Sequence, residues 1–297
     1  MKLNIYDLIQ KIGLSKNAKR RAEFRNSFKN RYVIDNYYSS NYNEKSEIDF
    51  YTVSWNSPKL IKYQIALFKK FCKGNFRQII CDNSTDENSV KEIKSICEKN
   101  NVTYIRVLDR HIPYGFSNSH ECALNWIYEN VIKKRCTDFA FLDHDCFPVK
   151  EFEASEILKD TPVWGWQQER PSGLWYLWAG FAFFKWETVK NIKLNFHRYK
   201  LFGFISLKGK NWVDTGSANW KCLYSKLDKE KVKKCETHFV SINPQLPVSE
   251  YISYQTFDNG NWLHIFDGAN RLTNKQKQIK IQTVYCLLDN LLKENFS

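Results

Sequence analysis

The chain has 297 residues and a formal charge of +13, with 43% hydrophobic and 16% aromatic residues. That length suits one large α/β core with extensions, and no stretch approaches the roughly 20 uninterrupted apolar residues of a membrane-spanning helix. Nine cysteines, an odd number with no C-x-x-C pair, argue against a disulfide framework or zinc ribbon. They favour a reducing, cytoplasmic setting in which most act as small buried hydrophobes.

Residues 1–34 hold nine Lys or Arg against two acids, a local charge of +7. The segment lacks the apolar run and small-residue cleavage site of a secretory signal. Such an arm is either a solvated basic face or a contact for anionic lipid headgroups, at about 1 kcal/mol per basic residue near the surface. The second alternative makes the protein peripheral at the inner face of a membrane.

The first strand is expected at residues 50–54, FYTVS. Ser57-Pro58 then supplies a helix N-cap and a first-turn proline, and Ile61, Ile65, Phe68 and Cys72 give that helix one apolar stripe. A second strand at 78–81 breaks into Asp82-Asn83-Ser84-Thr85-Asp86, and the helix after it has Val90, Ile93 and Cys97 on one side. Residues 103–107 form a third strand, and the loop from Leu108 to Asn118 carries Pro113 and Gly115. Ser119-His120-Glu121 opens a helix whose buried stripe is Ala123, Ile127 and Val131, and the apolar run 139–142 reads as a strand covered on both faces. Strand and helix alternate four times over residues 49–145, the pattern of a parallel, doubly wound sheet that binds ligands beyond the carboxyl ends of its strands. After Phe147 the alternation weakens and tryptophans gather, at 164, 166, 175, 178, 186, 212, 220 and 262. The expected division is a basic extension (1–48), a nucleotide-binding half (49–150), an acceptor and catalytic half (151–270) and a helical tail (271–297).

Asp143-His144-Asp145 follows the fourth strand directly. In extended backbone, residues i and i+2 project to the same side, so both carboxylates converge on one cation while His144 points away. Mg²⁺ or Mn²⁺ takes such oxygen ligands and completes its shell with phosphates and water. Alone the pattern is weak, because aspartates at strand ends also cap turns and helices.

Four segments in order resemble the inverting GT-A glycosyltransferases related to family 2. Val53-Ser54-Trp55-Asn56 stands at that family's first-strand motif, and Ile80-Cys81-Asp82-Asn83-Ser84-Thr85-Asp86 is similar to its "VDNGSTD". Asn118-Ser119-His120-Glu121-Cys122-Ala123-Leu124-Asn125 resembles an "SHGxALD"-like helix start, and Leu142-Asp143-His144-Asp145-Cys146-Phe147-Pro148-Val149 resembles "LDSDCxPV". Trp212-Val213-Asp214-Thr215-Gly216-Ser217 and Trp262-Leu263-His264-Ile265 have later counterparts, so that the resemblance covers about residues 49–270.

The resemblance implies a GT-A, Rossmann-like α/β fold, a mostly parallel twisted sheet flanked by helices with an elaborated acceptor side. It also implies metal-dependent, inverting transfer of a sugar from a nucleotide-sugar donor to a hydroxyl of a glycan or lipid-linked acceptor. Ser54, Asn56, Asp82, Ser119, His120 and Asp143 would bind the donor, Asp82 through its base. Asp143, Asp145 and His264 would form the metal shell, Trp178 and Trp212 would meet sugar or acceptor, and Asp214 would be the general base; should Asp214 prove dispensable, Glu169 and Asp267 are the next carboxylates to test. Two positions depart from the pattern: Glu121 replaces a glycine, and Asp214-Thr215 replaces an acidic pair.

The same residues have plainer readings. Asp82 can end its strand as an Asx-turn, Asp214 can be a turn acid, Ser119 a helix cap, His264 a hydrogen-bonded core histidine and the tryptophans ordinary core. A sugar nucleotidyltransferase would carry a Gly-rich loop after the first strand, where this chain has Ser54-Trp55-Asn56-Ser57-Pro58. A basic, aromatic-rich nucleic-acid binder suits the net charge, yet the basic residues gather in the arm, away from the aromatic cluster, and no nucleic-acid partner is expected.

Overall fold

The computed structural model describes residues 36–107, 116–170, 173–197, 213–242, 253–265 and 274–293. The basic arm at 1–34, the loop 108–115, Trp212 and Asp267 lie outside the described residues.

In chain order the strands are β1 (Ile48–Ser54), β2 (Cys72–Lys73), β3 (Phe76–Asp82), β4 (Thr103–Arg106), β5 (Asp138–Asp143) and β6 (Cys146–Pro148). They continue with β7 (Phe152–Glu153), β8 (Val163–Glu169), β9 (Trp175–Phe184), β10 (Thr237–Ser241), β11 (Ser253–Phe257) and β12 (Trp262–His264). The longer helices are α1 (Pro58–Phe71), α2 (Glu87–Asn100), α3 (Phe116–Ile127) and α4 (Asn274–Lys293). No helix among the described residues is long and apolar enough to cross a membrane.

The main sheet has the order β4-β3-β1-β5-β9-β8, its first four strands parallel and the last two antiparallel. All four strands expected from the sequence are present, and β1 and β3 each begin two residues before their apolar runs. The expectation of a mostly parallel α/β sheet therefore holds. Residues 163–184, expected in the acceptor half, extend this same sheet across residue 150. Their sequence hides it, because WYLWAGFAFF is apolar on both faces and shows no alternation.

Side-chain alternation sends β1 and β5 into two cores. Tyr51, Val53, Phe139 and Phe141 face α3 and pack with Ala123, Leu124 and Ile127, whereas Ile48, Phe50, Ala140 and Leu142 pack with Phe68 of α1. Each such side chain contributes about 1.5–3 kcal/mol by leaving water, which is why the middle of the sheet admits so few polar residues.

Helix starts differ from expectation in detail. Ser57 does sit at the N-cap of α1, but its hydroxyl donates to Trp55 O (2.8 Å) and caps nothing. Asp86 caps α2, accepting from Ser89 N (2.8 Å). The third helix already begins at Phe116, so Ser119 lies in its first turn and does not open it.

A second, antiparallel sheet, β10-β11-β12-β6, joins the first at the turn after β5. Its β12–β6 pairing sets His264 opposite Cys146. Val284 and Leu288 of α4 pack with Leu67, Phe71, Phe147 and Leu263, and Tyr63 Oη donates to Asp289 (2.7 Å).

At the amino ends of the parallel strands a buried ion network closes the sheet. Asp49, fully buried, accepts from Ser46 Oγ (2.6 Å), Arg77 Nη1 (3.1 Å) and Arg135 Nε. Arg77 Nη2 reaches Asn41 O (2.7 Å) and Glu44 O (2.6 Å), and Arg135 Nη1 reaches Tyr42 O (2.8 Å), tying the segment before β1 beneath the sheet. An open groove of about 460 Å³ lies at this end, lined by Lys45, Asn75, Asp138 and Glu187 among others.

Candidate functional site

Parallel register brings the chemistry together at the opposite end. Ser54 is level with Asp82 of β3, and Val53 is level with Asp143 of β5, so adjacent strands deliver Ser54, Asp82 and Asp143 to one edge. Ser54 Oγ is buried and has no hydrogen-bond partner among the described residues, an arrangement that costs about 1–3 kcal/mol unless a ligand completes it.

The backbone does not run extended through Asp143-His144-Asp145. β5 stops at Asp143 and a turn follows, so the expected i, i+2 convergence gives way to a division of labour. The compact group is Asp145, Cys146 and His264, whose donor atoms lie within 4.8 Å of one another, and Asp143 is not part of it. Asp143 Oδ1 instead lies 3.1 Å from His120 Nε2 of α3. His144 turns back, with its Nδ1 3.3 Å from Val53 O.

Burial alone would raise the Asp143 carboxyl, but the adjacent His120, then His144 and His264, hold it below the usual carboxylate range. Burial opposes a charge on His120, yet Asp143 and, more weakly, Asp214 raise its proton affinity. Asp214 therefore belongs to the same electrostatic neighbourhood.

His264 is different. Burial pushes its proton affinity down, against the pull of Asp145 and Asp143, and Lys280 of α4 pushes in the same direction as burial. Its Nδ1 lies 2.9 Å from Gln255 Oε1 and its Nε2 3.5 Å from Asp145 Oδ1; in the tautomer with the proton on Nδ1, the Nε2 lone pair is on the side of the Asp145 carboxylate. Asp145 Oδ1 and His264 Nε2 thus stand close together in a buried place, spaced so that both could contact one cation. The carboxylate suits Mn²⁺ or Mg²⁺, and the imidazole suits the transition metal better than the harder Mg²⁺. Cys146 is a poorer donor: burial, then Asp145 and Asp143, keep its thiol protonated, and it points to Gly180 O (3.5 Å).

Asp214 occupies a tight turn. Its backbone N–H donates to Tyr176 Oη (2.8 Å), and Oδ1 accepts from Thr215 N (2.8 Å). Gly216 sits at φ +91°, where an added Cβ would meet Leu177 O at 2.7 Å, so the turn requires glycine there. Trp178, half-buried, lies against His264 with ring centroids 5.0 Å apart and meets Trp166 edge-on at 5.3 Å. Trp164 and Trp175 are core.

Other expected donor residues brace the loops. Asp82 forms the Asx-turn, accepting from Ser84 N (3.0 Å), and takes Tyr104 Oη on its other oxygen (2.9 Å); it is fully buried. Asn56, at φ +47°, uses its amide oxygen to accept from Thr85 N and Asp86 N (both 3.0 Å), joining the loops after β1 and β3. Ser119 Oγ accepts from Asn83 Nδ2 (2.7 Å). Glu121, where the family pattern has glycine, pairs with His197 Nδ1 (3.1 Å). Glu169 is exposed and paired with Lys229 (2.8 Å). Among the residues sequence reasoning passed over, Lys280 was legible only as one basic residue of a polar helix, and its burial comes from packing.

No protein-family model matches the chain, and no curated protein matches it. Among solved structures it is similar to the bifunctional glycosyltransferase WbbM, at 12% identity and a TM-score of 0.33, over 48% of this chain and 32% of that one. It is similar to the mannosyltransferase PcManGT from Pyrobaculum calidifontis, solved in complex with GDP-Man and Mn²⁺, at 11% identity and a TM-score of 0.32 over 60% and 56%. The mannosyltransferase Ktr4p from S. cerevisiae aligns at 9% identity and a TM-score of 0.36 over 59% and 67%. The chain thus spans about a third of WbbM and just over half of PcManGT.

Proposed function

We propose that the protein is a metal-dependent glycosyltransferase that moves a sugar from a nucleotide-sugar donor to a hydroxyl acceptor, with inversion. The observation that carries this is the buried approach of Asp145 Oδ1 and His264 Nε2, 3.5 Å apart, beside Asp143 at the carboxyl ends of parallel strands. Asp145 and His264 would hold Mn²⁺ or Mg²⁺ with Asp143 alongside. A cation there supplies several kcal/mol of charge neutralisation to a departing diphosphate.

The remaining steps belong to the side chains. Ser54 offers its unpartnered hydroxyl to the nucleoside, and Asp143 accepts from the ribose or shares the cation. Asp82, Asn56 and Ser119 keep the rim in shape. His120, held by Asp143, keeps that carboxylate ionised. Asp214 takes the proton of the acceptor hydroxyl as its oxygen bonds to the anomeric carbon and the bond to the diphosphate breaks. Trp178 offers an apolar face to a sugar ring, and Trp212 joins it in this proposal from outside the described residues. Glycan and lipid-linked acceptors both suit this chemistry. The +7 arm would hold the protein to an anionic membrane, so a chain beginning at Asp35 should no longer bind anionic vesicles at low salt; equal binding by both chains refutes that role.

The test is a screen of nucleotide-sugars by thermal shift with and without Mn²⁺, since a ligand that binds only the folded state raises the midpoint. A cognate donor should stabilise the wild-type protein in a metal-dependent way. The Asp143→Asn/Asp145→Asn double variant should stay folded and lose metal-stimulated donor turnover, and undiminished turnover would overturn the proposal.

A further inference from the structure

Gln64 lies on α1 in the middle of the stripe formed by Ile61, Ile65 and Phe68, and it is fully buried. An amide in that position must find partners, since burying it unpaired costs several kcal/mol. It finds four. Its Nε2 donates to Asp143 O (3.0 Å) and Cys146 O (2.8 Å), and its Oε1 accepts from Thr52 Oγ1 (2.7 Å) and Gln78 Nε2 (3.3 Å). Backbone carbonyls only accept, so the orientation of the amide is determined: nitrogen toward the turn, oxygen toward β1 and β3.

The two carbonyls bracket His144-Asp145, the turn that points the Asp145 carboxylate at His264. No other side-chain amide is recorded bonding both ends of that turn among the described residues. We infer that Gln64 is a positioning residue for the metal site: it clamps the Asp143–Cys146 turn from the back of the sheet and thereby sets where Asp145 stands relative to His264. This rests on the proposed metal site, to which it adds a residue that touches neither substrate nor cation. Partners of this kind that orient a metal ligand typically change metal affinity by about 10- to 100-fold when removed.

The probe is Mn²⁺ alone, its free concentration followed by electron paramagnetic resonance as the full-length protein is titrated. Gln64→Met keeps the length of the side chain and removes all four bonds, and it should weaken Mn²⁺ binding by about 10-fold or more. Thr52→Val releases only the strongest hold on Oε1 and should weaken binding by about threefold. Thr103→Val is the control. Thr103 is buried, accepts from Ser39 N (3.1 Å) and lies at the amino end of β4, far from the turn, so its loss lowers stability without moving Mn²⁺ affinity. If Gln64→Met is folded and binds Mn²⁺ as the wild type does, the inference is wrong. If Gln64→Met does not fold, Thr52→Val decides, and unchanged affinity there counts against the inference. Wild-type protein that binds no Mn²⁺ would remove the metal site itself, a failure distinct from wild-type binding that Gln64→Met retains.

Discussion

The two ends of the same parallel strands treat buried polar groups in opposite ways. At the amino ends Asp49 meets Arg77, Arg135 and Ser46, and apart from Arg77 Nε the guanidinium groups find backbone carbonyls to donate to. At the carboxyl ends Ser54 Oγ and Asn83 Oδ1 are buried without a hydrogen-bond partner among the described residues, and Asp145 and His264 approach to 3.5 Å. The costlier charged groups at the amino end are met almost entirely by the chain itself and serve the fold; the groups left open at the carboxyl end are what a ligand would complete under the proposed function.

Substitutions can set the two ends against each other. The largest effect is expected at Asp214, where Asn preserves shape and removes the base, so that sugar transfer should fall by about 10²- to 10⁴-fold while donor affinity stays. Transfer near the normal rate, measured under saturating donor, would move the base elsewhere. At the other end Asp49→Ala leaves Arg77 and Arg135 with an uncompensated buried charge. It should cost about 3–5 kcal/mol in urea unfolding, with donor affinity of the folded fraction unchanged. A loss below about 1 kcal/mol would show that the network is as weak as a surface ion pair.

Ser54→Ala should do the reverse of Asp49→Ala. Removing an unpartnered buried hydroxyl should leave the unliganded protein at least as stable as wild type, by up to about 1–3 kcal/mol, and weaken donor binding by about 3- to 10-fold. Unaltered donor binding would return Ser54 to the core. The smallest effect concerns pH. His264 has its proton affinity lowered by burial, so between its folded value and 6.5 the unfolded chain binds more protons and stability rises with pH. On lowering pH below 6.5, wild type should lose stability faster than His264→Gln, by a margin seen in the difference of their thermal midpoints. Parallel curves would mean that the histidine titrates normally.

Much of this was open to sequence reasoning for a local reason. Strands β1, β3, β4 and β5 are short apolar runs ended by polar residues, and their ends carry Ser54, Asp82 and Asp143. What stayed hidden depends on tertiary approach. Asp143 and Asp145 were expected on one extended strand, whereas a turn follows β5, with Asp143 beside His120 and Asp145 beside His264. Asp82 was legible both as a base reader and as a turn residue, and only the fold shows Tyr104 and Ser84 on its two oxygens. Gln64 did leave a signal, a polar residue inside an apolar stripe, though its partners lie on two strands and a distant turn. Strand β9 left no alternation, because its residues are apolar on both faces, and β8 runs from apolar Val163-Trp164 into polar Gln167-Gln168-Glu169 without a period of two.

The β12–β6 pairing has a consequence for how the protein comes into being. The parallel strands and their helices precede residue 146, whereas His264 reaches Asp145 only when β12 zips onto β6. That contact has long sequence separation and closes late, after the local strand–helix units have formed. During synthesis the parallel strands can therefore assemble before Asp145 and His264 are brought together. Under the proposed function, a nascent chain halted before β12 would have those strands but lack the histidine of the proposed cation site.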